Sequence, residues 1–153
     1  MTIAARLEEL GITLPETSPA LASYLPVMRH GNTMFVSGQL PFADGEIATG
    51  QLGNGTSVED ATRAARACGL MILAQLNAAL GSLDEVAKVV KLGGFVASTP
   101  DFTEQHKVVN GASDLMFEVF GEKGRHARAA VGVPSLPMGA CVEVDAIVAL
   151  ADG

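Results

Sequence analysis

Hydrophobic residues along this 153-residue chain fall into two rhythms, one of three to four positions and one of two. Ala61, Ala64, Ala65, Cys68, Met71, Ile72, Leu76 and Leu80 follow the first rhythm and predict a long amphipathic helix. Ser57 before it, with Glu59 and Asp60 in the first turn, reads as a capping signature, and Gly81 marks its stop. A second helix is expected to open at Pro100-Asp101 and to carry Phe102, Val109, Ala112, Leu115, Met116, Val119 and Phe120 on one stripe ending at Gly121. The first ten residues mix charge into a short amphipathic helix. A proline-punctuated lead-in follows, from Leu14-Pro15 through Pro19 to Pro26. Strand-like segments run from Val27 to His30 and from Thr33 to Ser37 around the turn dipeptide Gly31-Asn32, and another runs from Val86 to Ala97. Within the latter, Gly93-Gly94 suggests a bulge or bend.

The last two segments alternate as well. Ala127, Ala129, Val131 and Val133 share one side of the first, and Val142, Val144, Ala146 and Val148 share one side of the second. If they form an antiparallel hairpin bending at Ser135 and Leu136, facing residue numbers sum to about 271, which sets Arg128 across from Glu143. A guanidinium beside a carboxylate is a candidate site for a small anionic substrate. The same spacing also suits a cross-strand salt bridge worth ~0.2–1 kcal/mol, and spacing alone does not separate the two readings.

The order strands, helix, strand, helix, strands predicts an α+β fold, a mixed sheet with two helices packed on one face. It reads as a single domain over residues 1–153 with an N-terminal helical extension over about residues 1–20. The opposite sheet face would carry Arg128, Glu143, Asp145 and His126 among short side chains. That is too polar for a core and too small-chained for an ordinary solvated surface. Packing of several copies, with ligand clefts where subunits meet, would account for it.

Composition narrows the picture. The chain is 48% hydrophobic, yet no uninterrupted apolar run approaches the roughly 18 residues of a membrane span. The N-terminus lacks the pattern of a secretory signal, so a cytoplasmic location and no membrane partner are expected. Ten basic residues against 17 acidic ones give a net charge of −7, which weighs against nucleic-acid binding. Cys68 and Cys141 make no disulfide framework and read as buried thiols. His30, His106 and His126 show no metal-ligand spacing.

Further candidates each have a plain alternative. Tyr24, the one tyrosine, reads as an anchor packed under a loop. Ser37-Gly38 ends a strand with a glycine that would let backbone approach a ligand or simply terminate the strand. Asn110 is unusual inside a helix and faces either solvent or a substrate. Gly53-Asn54-Gly55 lacks the strand-to-helix context of a nucleotide loop.

Taken together, Gly31-Asn32, Phe35-Val36-Ser37-Gly38-Gln39-Leu40-Pro41, Val109-Asn110, Ala127-Arg128, Leu136-Pro137 and Val142-Glu143-Val144 resemble the RidA/YjgF family of reactive-intermediate deaminases. Older labels of that family are translation initiation inhibitor and L-PSP endoribonuclease. The resemblance runs from about Tyr24 to Leu150. It implies a chorismate-mutase-like fold assembled as a homotrimer, with helices outside, a central barrel of sheets and three clefts between subunits. It also implies hydrolysis of 2-imino and 2-enamino acids to 2-keto acids and ammonia, with no metal or organic cofactor. The family's catalytic pair falls on Arg128, which would bind the substrate carboxylate, and Glu143, which would hold a water. Its substrate contacts fall on Tyr24, Ser37, Gly38, Asn110 and again Arg128. The family's Pro-Ala-Arg-Ser-Cys stretch is His126-Ala127-Arg128-Ala129-Ala130 here, so the cleft cysteine is missing. The N-terminal helix and the glycine-rich insertion from Gly50 to Gly55 resemble a longer subgroup. The expected function is imine deamination; the alternative is a noncatalytic trimer that binds a small carboxylate or keto acid, with an endoribonuclease last.

Overall fold

The computed structural model describes residues 1–18 and 22–152. Pro19, in the proline-punctuated lead-in, lies outside the described residues, as does the last residue of the helical extension expected over 1–20. The elements in chain order are α1 (Ile3–Glu9), β1 (Val27–His30), β2 (Thr33–Gln39), β3 (Phe42–Ala43), β4 (Glu46–Ile47), α2 (Val58–Leu80), β5 (Val86–Ala97), α3 (Gln105–Phe120), β6 (Ala127–Val133) and β7 (Val142–Leu150). Five strands form one mixed sheet in the order β1-β2-β7-β5-β6, and β3 and β4 form a separate small ribbon. No described helix is long and apolar enough to cross a membrane.

Local signals set the helices. The Ser57 side chain accepts a hydrogen bond from the Asp60 amide, and Gly81 closes α2 in the left-handed region at φ 80°. Thr2 caps α1 in the same way by accepting from the Ala5 amide. That helix leans on α3, where Arg6 Nε donates to the Glu118 carbonyl at 2.9 Å. α3 begins at Gln105, four residues after Asp101, because Thr99 to Glu104 first turn across the end of β5 and no side chain caps the helix start.

The core lies between α2, α3 and the sheet face formed by Val142, Val144, Ala146, Val148 and Leu150 of β7 with Val89, Leu92 and Val96 of β5. α2 and α3 touch through small residues. A Cβ on Gly111 would land on the Thr62 carbonyl, so glycine permits the close approach. Leu115 and Ile72, both fully buried, each contribute ~1.5–3 kcal/mol through removal of their side chains from water.

Two expectations fail here. β6 and β7 do not form a hairpin. β6 pairs in parallel with β5, placing Arg128 opposite Leu92, while β7 pairs antiparallel with β5 on its other edge, placing Glu143 opposite Phe95. The reason lies in side-chain size. The central position needs a strand that buries a full row, and β7 supplies five valine, alanine and leucine positions buried in alternation. β6, with Ala129, Ala130 and Gly132, has too little apolar bulk for that place and takes the edge. The α3 crossover between β5 and β6 makes the parallel pairing reachable. The second failure is the bulge at Gly93-Gly94. Register shifts fall earlier in β5, between Val86 and Lys88 and between Val89 and Lys91. The two glycines instead leave room for neighbours, Gly93 for the Asp145 carboxyl and Gly94 for the Val109 side chain.

Candidate functional site

The edge position of β6 decides what Arg128 can reach. Alternation along this strand runs opposite to expectation: Ala127, Ala129 and Val131 stand on the open sheet face and are exposed, while Arg128 and Ala130 point toward the helices. Arg128 therefore meets α3. Its Nη1 donates to Asn110 Oδ1 at 2.8 Å and to Ser113 Oγ at 3.1 Å, and its Nη2 donates to the His106 carbonyl at 3.2 Å. Three of the guanidinium's five N–H groups are thus engaged, which leaves Nε–H and one N–H on Nη2. Nε and Nη2 share one edge of the guanidinium, the edge that receives both oxygens of a carboxylate.

Behind Arg128 the bonding continues. His126 Nδ1 sits 2.6 Å from the Gly124 carbonyl and Nε2 sits 2.9 Å from Ser113 Oγ. A carbonyl only accepts, so Nδ1 carries the proton; in the neutral ring Nε2 then accepts from the Ser113 hydroxyl, whose oxygen accepts from Arg128. Sequence reasoning missed Ser113 as part of this set and placed His126 on the polar sheet face away from the helices. The available signal was helical spacing, since Ser113 lies three residues beyond Asn110 and so on the same face.

A second group gathers on the opposite side of the sheet. Glu143 and Asp145 of β7 alternate with the buried valines and so face away from the helices. Beside Glu143, β2 bulges between Val36 and Gln39, where Ser37 and Gly38 sit. A Cβ on Gly38 would lie 2.8 Å from Glu143 Cδ and 3.1 Å from Cγ, so this glycine keeps the carboxyl group uncovered. Burial raises the Glu143 carboxyl above its ordinary value, and the neighbouring Asp145 charge adds to the rise. Asp145 is raised by burial too, against a hydrogen bond from the Gly93 backbone that lowers it. Among the described residues, no hydrogen bond or ion pair engages the Glu143 carboxylate.

The Ser37 hydroxyl is committed to the lead-in, donating to the Leu25 carbonyl at 2.7 Å, while its amide donates to the Pro26 carbonyl at 2.9 Å. Tyr24, next along that lead-in, is 67% exposed and is not packed under a loop. The structure thus brings Asn110 to Arg128, and Ser37 and Gly38 to the neighbourhood of Glu143. It does not bring Arg128 to Glu143. Expected on one polar face, they stand on opposite faces of the sheet, because β6 turns its arginine toward hydrogen-bond acceptors on α3. Around Glu143 the open face also shows large apolar side chains, with Phe35 at 45% and Val131 at 46% exposure. Among the described residues no three His, Cys, Asp or Glu side chains group as metal ligands. Both cysteines are buried.

Residues 4–150 match the family model described as "YjgF/chorismate_mutase-like, putative endoribonuclease". Protein TCP17 of Trypanosoma cruzi is 54% identical over 150 residues, covering 97% of this chain and 94% of that protein. The RutC family protein y4sK of Sinorhizobium fredii is 30% identical over 139 residues, covering 91% and 96% respectively. Among solved structures, the protein Atu1372 of Agrobacterium tumefaciens, described as of unknown function, superposes with a TM-score of 0.90 at 54% identity, covering 98% of this chain and 94% of that one.

Proposed function

Since this chain belongs to the RidA/YjgF family, the YjgF/chorismate-mutase-like proteins, we propose that it is a 2-imino/2-enamino acid deaminase whose site is completed between subunits of a homotrimer. The observation that carries this reading is the split of the site. One chain holds a guanidinium anchored by three bonds with a carboxylate-receiving edge left over, and, across the sheet, an unengaged carboxyl group of raised proton affinity. Each half lacks what the other offers. A second copy packing its open face against the β6 side of the first would unite them, and would cover Phe35 and Val131, whose exposure on one small face favours an interface.

In such a cleft Arg128 grips the substrate carboxylate through two parallel charge-assisted hydrogen bonds and so fixes the adjacent C=N carbon. Glu143 of a neighbouring copy accepts a proton from water as the water oxygen bonds to that carbon, and the electron pair of the C=N bond moves to nitrogen. That proton passes to the nitrogen to give a carbinolamine; its hydroxyl then yields its own proton to Glu143, which delivers it to the nitrogen as the C=O bond forms and the C–N bond breaks, and a 2-keto acid and ammonia leave. A carboxyl group whose affinity for protons is raised toward neutrality is a better base for this step than an ordinary one. Imines already hydrolyse in water, so orientation and a single base are sufficient and no cofactor is required. Tyr24, carried by the lead-in that Ser37 holds, would close over the cleft. Asn110 acts by holding the arginine, and the Ser37-Gly38 backbone forms a wall.

The test is to generate imine with an amino acid oxidase and trap it with semicarbazide. Faster loss of trappable imine than in buffer is expected, and equal loss beside an active control enzyme would refute the proposal. Sedimentation equilibrium should return three times the 15.7 kDa chain mass, and a monomer at micromolar concentration would leave the two half-sites apart. The replacement of the family's Ser-Cys by Ala129-Ala130 favours one second reading, a trimer that binds a keto acid without turnover. That reading predicts stabilisation by keto acids with no imine loss. The acidic balance of the chain disfavours nucleic acid as a partner.

A further inference from the structure

The helix-facing row of β6 does not stop at Arg128. It continues through Ala130 to Gly132, about 13 Å further along the strand by the ordinary strand rise. At Gly132 the structure has a cavity of ≈ 360 Å³ lined by residues that include Gln51, Ser98, Phe102, Gln105 and Pro134. Gly132 keeps it open. A Cβ there would stand 2.5 Å from Ser98 Oγ and 2.7 Å from Gln105 Nε2. Between arginine and cavity this row therefore holds only the small side chain of Ala130, which is partly buried against the core. Both ends meet at the helix start, since Arg128 donates to the carbonyl of His106 while Gln105, the preceding residue, lines the cavity.

The polar groups in the cavity are held in place. Gln105 Nε2 donates to the Phe102 carbonyl at 2.8 Å and to Ser98 Oγ at 3.3 Å, which turns its Oε1 outward as an acceptor with no partner among the described residues. Ser98, only 7% exposed, donates its hydroxyl to the Val96 carbonyl at 3.2 Å. Gln51 Nε2 reaches the Pro134 carbonyl at 3.4 Å. No lining residue is charged, and Phe102, Pro100 and Pro134 supply apolar wall.

We propose that this cavity is the side-chain subsite of the deaminase, and that it selects 2-imino acids with a long, unbranched tail ending in a neutral hydrogen-bonding group such as a carboxamide or ureido group. The inference rests on the deaminase reading for the carboxylate end. The tail end follows from the cavity itself. A linear tail passes the small side chain of Ala130 with least hindrance, and the fixed amides and buried hydroxyl reward a polar terminus. A charged terminus would lose part of its water with no opposite charge to meet. The cavity size lies within the range of small-molecule sites.

The experiment compares kcat/KM for imines made by an amino acid oxidase from citrulline, from arginine, which has the same length but a charged end, and from the short 2-aminobutyrate. Citrulline imine should be favoured over arginine imine by about tenfold, the worth of one hydrogen bond to a partly buried group. Gly132→Ala should lower the citrulline to 2-aminobutyrate ratio by a similar factor. Gln105→Met, which removes the polar end without adding bulk at Gly132, should erase the citrulline to arginine preference. Equal rates on all three imines, or ratios unmoved by either variant, overturn the subsite while leaving the deaminase standing. If no imine is accelerated, the deaminase reading fails, and the subsite is then judged by calorimetric affinities of the three corresponding 2-keto acids. The same order supports it and a flat order overturns it.

Discussion

Arg128→Lys separates a guanidinium used as a fork from a positive charge used as a lure. Arg128 spends three N–H groups on Asn110, Ser113 and His106 and keeps two for a ligand. Lysine keeps the charge but offers a single ammonium, and it cannot hold the anchors and present two parallel donors at once. The loss is then about one charge-assisted hydrogen bond, ~1.5–3 kcal/mol, or roughly 10- to 150-fold in kcat/KM. Because the carboxylate is gripped before and during reaction alike, most of the change should appear in KM. The three anchor partners are themselves partly exposed and can turn to water. Stability should therefore fall by less than about 1 kcal/mol, which corresponds to ~2–4 °C in Tm for a chain of this length. The assay is semicarbazide trapping of imine, with calorimetry on the same preparation. A variant that keeps more than half its kcat/KM shows that the fork is not used. A fall in Tm beyond about 6 °C, with activity lost in step, shows that the arginine holds the fold and not a substrate.

Glu143→Gln should abolish turnover yet raise Tm at neutral pH. Burial raises this carboxyl in the folded chain, so the native state binds the proton more tightly than the unfolded one and stability falls as pH rises from the ordinary value of 4.5 through the raised value. The gain in Tm should therefore shrink to nothing as pH falls to 4.5, and a gain that is constant with pH contradicts this cause. Gly38→Ala places a methyl against the Glu143 carboxyl and should lower kcat by about tenfold or more with the fold intact; unaltered kcat means that the carboxyl is not positioned there. Ser113→Ala removes the group that joins His126 to Arg128 and should raise KM by about tenfold, whereas Ser113→Thr, which keeps the hydroxyl, should restore it. Failure of threonine to rescue assigns Ser113 to packing.

Much of the frame was legible along the chain because its causes are local. The Ser57 cap, the Gly81 stop and the spacing of small apolar residues bound α2 to Val58–Leu80 without reference to anything distant. Val86–Ala97 appears as one strand for the same reason, and alternation in β7 correctly assigns its valines to the core and Glu143 away from it. The motif set likewise pointed to the family that residues 4–150 match. Partnership was not legible. An alternating segment states its period but not its neighbour, and a short connection from β6 to β7 invites a hairpin that the chain does not make. Only the competition for the centre of the sheet, won by the bulkier row of β7, sends β6 to the edge beside β5. From that one placement follow the turn of Arg128 toward α3, its bonds to Asn110 and Ser113, and its separation from Glu143. Period is a property of consecutive residues, whereas the identity of the facing side chain depends on which distant surface buries the most apolar area. The former was present in the sequence; the latter was decided only when the whole chain packed.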